Sequence, residues 1–237
     1  MIAALFVETN GAYFGLEGVD PWDVKRDAME YDGPHPVVAH PPCSRWCRLA
    51  GLVEARWGHK RGEDGGMFAH ALDCVRRFGG VLEHPAYSDA WARYGLPKPP
   101  SGGGWVRGLC GGWSCHVEQG CYGHVAKKAT WLYAFGCDLP SLRWGHNPDQ
   151  KSQALVSWCG NRVASGENRP RVGKAAAAAT PPEFRAELIG MARSVHRSPG
   201  GRTGVELQSR KARLVTPVPF RDVLVDMARS VRASVYT

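Results

Sequence analysis

One cysteine follows two prolines at the end of a strand-like segment, and its thiol is a candidate nucleophile. The run Val37–Ala39 predicts a buried strand, and Pro41 and Pro42 end it because proline lacks an N–H and disfavours the helical region for the residue before it. Cys43 comes directly after them. Ligands of open α/β sheets bind beyond the carboxyl ends of strands. The pattern therefore predicts a thiol at a ligand site, and a structural cysteine in an ordinary loop is the alternative.

An acid and a basic segment follow at spacings that suit covalent chemistry on an electron-poor ring. The strand predicted from Val81 delivers Glu83 and His84 at its end, and the segment from Gln119 to Lys128 then adds an amide and two lysines. A thiolate that adds to such a ring turns an inert carbon into a carbanion-like one. A nearby acid and a cation offset the charge that develops. The residue types therefore suit thiol addition to a heterocyclic base.

The ordered trio of Pro42-Cys43, Glu83-His84 and the segment from Gln119 to Thr130 resembles the DNA cytosine-5 methyltransferase family, especially its short phage-type members. That family has a Pro-Cys loop, then a Glu-Asn-Val or Glu-Asn-Pro loop, then a Gln-containing basic motif. The resemblance covers Met1 to Phe135 in order. It implies an α/β fold with a Rossmann-like methyltransferase-type sheet, DNA as the partner and S-adenosylmethionine as the cofactor. It also implies a target base flipped out of the duplex, because a stacked ring cannot be reached.

The resemblance also implies roles for individual residues. Cys43 would attack C6 of a cytosine, Glu83 would contact N3 and the amino group, and Lys128 would steady the pyrimidine carbonyl oxygen. The residues that would bind the substrate beside them are His40, Pro42, His84, Gln119, His124 and Thr130. The residues that would hold S-adenosylmethionine are Phe6, Asn10, Gly11, Asp20 and Asp23.

Three positions depart from the family's pattern. The first strand leads into a turn with a single glycine, Gly11, where the family has Phe-x-Gly-x-Gly. His84 stands where the family has an amide, and His40 precedes the prolines where amino-methylating enzymes carry Asp or Asn. Two alternatives therefore stay open. One is an enzyme of the same fold that modifies pyrimidines with another donor, and the other is a non-catalytic DNA-binding relative.

A second group of metal-ligand types lies between the acid and the basic segment. Within fifteen residues the chain has Cys110, Cys115, His116, Cys121 and His124. Zinc takes four such ligands, but the paired C-x2-C spacing is missing. A structural zinc site is therefore the less favoured interpretation, a strand-turn-strand without metal is preferred, and no residue is assigned as a metal ligand.

Charge divides the chain into two parts. The 237 residues carry a net charge of +8 and can bury one good core. Up to Cys159, sixteen basic residues balance sixteen acidic ones, whereas fourteen face six from Gly160 onward. We expect a methyltransferase-like catalytic domain over 1–160 and a basic C-terminal segment over 161–237. The basic excess indicates a polyanion partner, most simply DNA, or a solvated tail that keeps the chain soluble.

The basic segment contains a duplicated helix pattern. The sixteen residues from Thr180 recur from Thr216 with ten identities, and each copy predicts an amphipathic helix with prolines in its first turn.

Eight cysteines without an export signal favour reduced thiols. With no apolar run long enough to span a membrane, we expect a protein of the bacterial or phage-infected cytoplasm that does not associate with membranes. The sequence leaves its oligomeric state open.

The elements that must position these residues form a predicted parallel sheet with helical crossovers. A short helix is expected over Asp23–Tyr31, before the break at Gly33-Pro34, and a second helix over Gly62–Phe78, where apolar residues recur at a helical period. Further strands are expected at Trp113–Gln119 and Ala129–Phe135.

Overall fold

A computed structural model describes residues 1–48, 50–145 and 172–196. Its centre is one sheet of seven strands in the order β2-β1-β3-β4-β7-β6-β5. Strands β1 to β4 pair in parallel, while β4–β7, β7–β6 and β6–β5 are antiparallel. The strands are β1 (Ile2–Leu5), β2 (Val19–Trp22), β3 (Val37–Ala39), β4 (Gly80–Pro85), β5 (Val106–Arg107), β6 (Trp113–Glu118) and β7 (Ala129–Phe135). The protein is therefore α/β, and its sheet is mixed rather than all parallel as expected.

Helices cover both faces of the sheet. Successive strand residues point to opposite faces, so Leu5 and Leu82 pack under α2 while Ala4 and Val81 pack under α5. The helices are α1 (Ala50–Trp57), α2 (Met67–Phe78), α3 (Asp89–Arg93), α4 (Lys174–Ala178) and α5 (Pro182–Arg193).

Three predicted elements are confirmed at or near their bounds, namely the strand ended by Pro41 and Pro42 and the later strands β6 and β7. The helix expected from Gly62 starts later, at Met67, because Asp64 accepts backbone hydrogen bonds from Gly66 and Phe68 and so fixes the start of α2.

The helix predicted over Asp23–Tyr31 is wrong. This stretch contains one 3-10 turn, Ala28–Glu30. The Asp23 carboxylate accepts hydrogen bonds from the backbone N–H groups of Lys25 and Arg26, which favours a turn. Asp27 then takes the left-handed conformation with φ 56°, which an α-helix cannot contain.

The first compact unit runs from Met1 to His196, so α5 belongs to the same unit as the sheet. The expected boundary at residue 160 and the second copy of the duplicated helix pattern, from Thr216, lie outside the described residues. In the part of the chain that is described, no helix has both the length and the apolar character needed to cross a membrane.

Candidate active site

Polar side chains from four strand ends meet at the carboxyl edge of the parallel strands. His40 follows β3 directly, and its Nδ1 lies 3.0 Å from Oε2 of Glu83 in β4. Gln119, just after β6, donates from Nε2 to Oε1 of Glu83 at 3.0 Å and to Oγ1 of Thr130 in β7 at 2.9 Å. Thr130 donates to the backbone oxygen of Lys128 at 3.2 Å. Five of the predicted site residues therefore form one hydrogen-bonded row.

Cys43 is held beside this row by the turn that follows it. Its carbonyl accepts hydrogen bonds from the N–H groups of Trp46 and Cys47, both at 2.9 Å. Trp46 is buried and donates from Nε1 to Asp64 at 2.8 Å, so the turn is tied to the start of α2. Pro42, next to the thiol, is exposed. The loop therefore holds its thiol half-buried.

The Cys43 thiol is protonated in the resting protein. Burial raises its pKa to about 11, the neighbouring Cys47 and Glu83 add to the increase, and the positive charge of Lys128 opposes it. A thiol in this state is a poor nucleophile until a base removes its proton. Any attack by Cys43 therefore needs transfer of this proton away from the thiol.

Glu83 is ionised although it is only 7% exposed. Burial alone would raise its pKa, but the hydrogen bond from His40 and the positive charge of Lys128 outweigh burial and bring the pKa to about 2. Glu83 points to the α5 face of the sheet and is an acceptor only. Its carboxylate therefore suits a ligand that presents N–H groups.

Lys128 is the cation of the site. Its Nζ donates to the backbone oxygens of Ala178 at 2.9 Å and Ala179 at 2.8 Å, at the end of α4. Burial lowers its pKa, while the carboxylate of Glu83 and, once ionised, the thiolate of Cys43 oppose that change. Lys128, Glu83 and Cys43 thus lie close enough for their charges to act on one another. The structure brings together all three residues predicted to be catalytic.

Gln119 has one free acceptor. Both Nε2 hydrogen bonds are used within the row, and its buried Oε1 has no hydrogen-bond partner among the described residues. A buried unpaired acceptor costs free energy unless a ligand donates to it. Its position next to Glu83 adds a second acceptor to the same part of the site.

Two predicted substrate-binding residues lie away from this row. His84 follows Glu83 in β4 and points to the opposite face, where its ring lies 5.2 Å from that of Phe68 and 6.2 Å from that of Trp91. His124 lies buried beside α4, with its Nε2 3.1 Å from the carbonyl oxygen of Ala176 and its Nδ1 close to Ala126. His84 is therefore part of the core, and the contact of His124 with the carbonyl oxygen of Ala176 stabilises the position of α4.

The residues predicted to hold the cofactor lie around the ends of β1 and β2. Asp23 follows β2, and its Oδ2 accepts from the hydroxyl of Thr9 in the loop after β1 at 2.6 Å. Asp20 is paired with Arg26 and with Nε1 of Trp22. Among the remaining predicted residues, Phe6 and Asn10 have φ values of 59° and 56°, and a Cβ on Gly11 would lie 2.8 Å from the carbonyl oxygen of Glu8. The loop after β1 is thus a tight turn without a helix.

The five cysteines and histidines considered for zinc do not gather. Cys110 is exposed, whereas Cys115 and His116 follow one another in β6 and so point to opposite faces. Within residues 1–48, 50–145 and 172–196, no three metal-ligand side chains are grouped so that they could hold an ion.

One residue of the site was not predicted. The hydroxyl of Tyr13, in the loop after β1, lies 2.7 Å from Nε2 of His40. Tyr13 is 4% exposed, and burial together with the charge of Glu83 raises its pKa. Its only sequence signal is an aromatic residue in a polar turn after the first strand.

No family model, no curated protein and no solved structure matches this chain.

Proposed function

We propose that this protein modifies a pyrimidine base of DNA by covalent addition of Cys43, as a cytosine-5 methyltransferase that uses S-adenosylmethionine. The observation that carries the proposal is the convergence of Cys43, Glu83 and Lys128, which lie far apart in the chain, at one edge of the sheet. They are a nucleophile, an acceptor and a cation, the set that ring addition requires.

The topology of the sheet supports a Rossmann-like methyltransferase-type fold. From β1 the parallel strands proceed outward to β2 on one side and to β3 and β4 on the other, so the strand order reverses between β1 and β3. Ligands of open α/β sheets bind at the carboxyl ends of the strands at such a reversal. His40, at the end of β3, and the loop after β1 lie at this edge.

The addition step requires a net proton movement. As Sγ of Cys43 bonds to C6 of the pyrimidine, the C5–C6 π bond opens, the thiol loses its proton and N3 gains one. Glu83 is ionised and is too weak a base to hold the thiol proton. The thiol therefore releases its proton to solvent, N3 takes one up from solvent, and the carboxylate stabilises the N3–H that forms. After substitution at C5, the C5 proton passes to water, the Sγ–C6 bond breaks as the C5–C6 π bond re-forms, N3 gives up its proton, and the thiolate that is released takes up a proton to restore the thiol.

The acceptors of the site favour cytosine over uracil. The ionised Glu83 and the unpaired Oε1 of Gln119 both need N–H donors. Cytosine presents an exocyclic amino group there, whereas uracil presents a carbonyl oxygen that the carboxylate would repel. A site built to hydrogen-bond one group rejects an analogue that leaves its buried acceptors unpaired.

The residues present fit a nucleoside cofactor at one point. Asp23 lies directly after β2, and among the described residues only Thr9 donates to its Oδ2, so a lone pair there could accept from a ribose hydroxyl. When bound, S-adenosylmethionine supplies an electrophilic methyl group. Asp23 would hold its ribose, while Phe6 and Asn10 would border it from the loop after β1.

Covalent trapping tests the nucleophile. Single-stranded and duplex DNA that contain 5-fluorocytosine would be incubated with the full chain and S-adenosylmethionine, because fluorine at C5 blocks the final elimination. We expect an adduct with the natural chain and with Cys47→Ser, a control that changes the neighbouring thiol, and none with Cys43→Ser. An adduct that survives Cys43→Ser, or a folded natural chain that gives none, contradicts the proposal.

A second candidate function is an enzyme of the same fold with another donor. The observation that favours it is the tight turn after β1, which lacks both a helix and the expected glycines. Calorimetry with S-adenosylmethionine separates the two. Micromolar binding that Asp23→Ala weakens supports the methyltransferase, whereas no binding to the folded chain supports the other donor.

A further inference from the structure

A buried row of three side chains leads to Glu83 from the loop after β1. The Tyr13 hydroxyl lies 2.7 Å from Nε2 of His40, and His40 Nδ1 lies 3.0 Å from Oε2 of Glu83. The three come from different elements, and only 13% of the His40 side chain is exposed. The row is therefore shielded from solvent along its length.

The hydrogen-bonding groups fix the direction of the protons in this row. Glu83 is ionised and only accepts, so Nδ1 of His40 must carry the proton that it donates. Tyr13 keeps its own proton because its pKa is raised by burial. Within the described residues the Tyr13 hydroxyl has no hydrogen-bond partner besides Nε2 of His40. A neutral imidazole with an unprotonated Nε2 satisfies every one of these groups.

The geometry points to Tyr13 and His40 as positioning residues of the base-binding site: the Tyr13 hydroxyl holds the His40 ring in place at Nε2, and the Nδ1–H of His40 fixes the orientation of Glu83 and stabilises its charge. The inference rests on the proposed function for what Glu83 does, but the row itself exists without a substrate. The row contains the same three groups as a catalytic triad, in which the carboxylate bonded to Nδ1 sets the tautomer of the imidazole. Here the row ends on the carboxylate that meets the base.

Other charges also act on this row. The hydrogen bond from His40 and the charge of Lys128 lower the pKa of Glu83. At a pH low enough to protonate it, His84 lowers that pKa further, and the charge of Glu83 acts in turn on Cys43. The guanidinium of Arg185, in α5, lies 5.9 Å from the centre of the Tyr13 ring. Since Lys128 remains when His40 is removed, His40→Leu should raise the pKa of Glu83 only part of the way to that of an isolated buried carboxyl.

Nuclear magnetic resonance of the full chain without DNA tests the row directly. We expect a neutral His40 with a protonated Nδ1 and an unprotonated Nε2 in the natural chain. In Tyr13→Phe the Nδ1 proton should exchange faster with solvent, because the ring is then held at one nitrogen only. The carboxyl resonance of Glu83 should titrate at higher pH in His40→Leu than in the natural chain. A protonated Nε2 in the natural chain, or an unchanged titration of Glu83 in folded His40→Leu, overturns the inference. If His40→Leu does not fold, the exchange rate of the Nδ1 proton in Tyr13→Phe decides, and an unchanged rate overturns the inference.

The rate of adduct formation on 5-fluorocytosine DNA gives the functional readout. We expect Tyr13→Phe to slow it about tenfold, and His40→Asn, which keeps an N–H donor, to slow it less than His40→Leu does. Because Tyr13 acts through His40, Tyr13→Phe should have no further effect in His40→Asn. Tyr94→Phe removes a hydroxyl on the opposite face and is the control. Additive losses overturn the inference. If the natural chain forms no adduct, the proposed function fails. The resonance experiment still tests whether Tyr13 and His40 position Glu83.

Discussion

At the scale of single residues, the site pairs a protonated thiol with an ionised carboxylate. The pKa of Cys43 is raised to about 11 and that of Glu83 is lowered to about 2. The proposed ring addition needs a thiolate, so under that proposal the free protein would be a resting form. A bound base that takes a proton at N3 would favour the thiolate, and the thiol would stay unreactive until a substrate is present.

Alkylation measures this resting state. At pH 8 only about one thiol in a thousand is ionised when its pKa is near 11, so iodoacetamide should modify the exposed Cys110 well before Cys43. The rate at Cys43 should rise about tenfold for each pH unit up to pH 10. We expect several-fold slower modification in Lys128→Met and several-fold faster modification in Glu83→Gln, because the two variants remove charges of opposite sign. Peptide mass spectrometry gives the rates, and rapid modification of Cys43 at pH 8 would contradict the prediction.

The buried imidazole of His84 makes stability depend on pH. Burial lowers its pKa from 6.5 to about 4, so between these values the unfolded chain binds a proton that the folded chain does not. The stability that the neutral, buried imidazole contributes is fully present above pH 6.5. It is lost as the pH falls toward 4, and the free energy of unfolding decreases by about 3 kcal/mol over this range. Ionised Glu83 adds a further loss between about 4.5 and 2.

Urea unfolding of two variants isolates this contribution. His84→Leu should remove most of the dependence between pH 6.5 and 4, while His59→Leu, at an exposed position, should leave it unchanged. Equal pH dependence in the natural chain and in His84→Leu would show that another group is responsible.

Part of the site could be predicted from single residues. Cys43 and Glu83 are recognisable because a proline close to each marks a strand end, which is local information. Tyr13 and His40 are 27 positions apart, and no local pattern connects them. The prediction placed Glu83 and His84 together at the end of their strand and gave both a role in one site, and both lie inside β4. Strand alternation then sends them to opposite faces.

At the scale of elements, one glycine allows β3 and β4 to pair. Gly80 has φ 120°, and a Cβ there would lie 2.0 Å from the carbonyl oxygen of Val37. Because the obstacle is backbone, Gly80→Ala must separate the two strands that carry His40 and Glu83. We expect a loss of about 3 kcal/mol or more in the free energy of unfolding.

A second glycine provides the matched control. Gly190 lies inside α5 and a Cβ there meets nothing within 4 Å, so Gly190→Ala should stabilise the protein by about 0.5–1 kcal/mol. Thermal unfolding of both variants would test the pair. If the two substitutions had equal effects, Gly80 would not be needed for the close approach of β3 and β4.

The elements differ in how far sequence determines them. Apolar runs bounded by turns predict β3, β6 and β7 because those segments are buried on both faces. The antiparallel pairing of β7 with β4 depends on contacts between segments about 50 residues apart, which local patterning does not encode. The helix expected from Asp23 fails because side-chain hydrogen bonds to the backbone and the left-handed Asp27 favour a turn there.

At the scale of the whole molecule, the uneven charge predicts how the proposed partner, DNA, would be bound. The basic excess lies after Cys159, and cations that neutralise phosphates release counterions, so affinity falls as salt rises. Replacing Arg210, Lys211 and Arg213 by Gln in the full chain should lower the slope of log affinity against log salt by about 2 to 3. Replacing the uncharged Ser198, Gln208 and Ser209 by Ala should leave that slope unchanged. Fluorescence anisotropy with labelled DNA at several salt concentrations measures both. An unchanged slope in the charge variant would mean that this segment does not contact phosphates, and DNA binding would then have to be sought among the basic residues around Cys43.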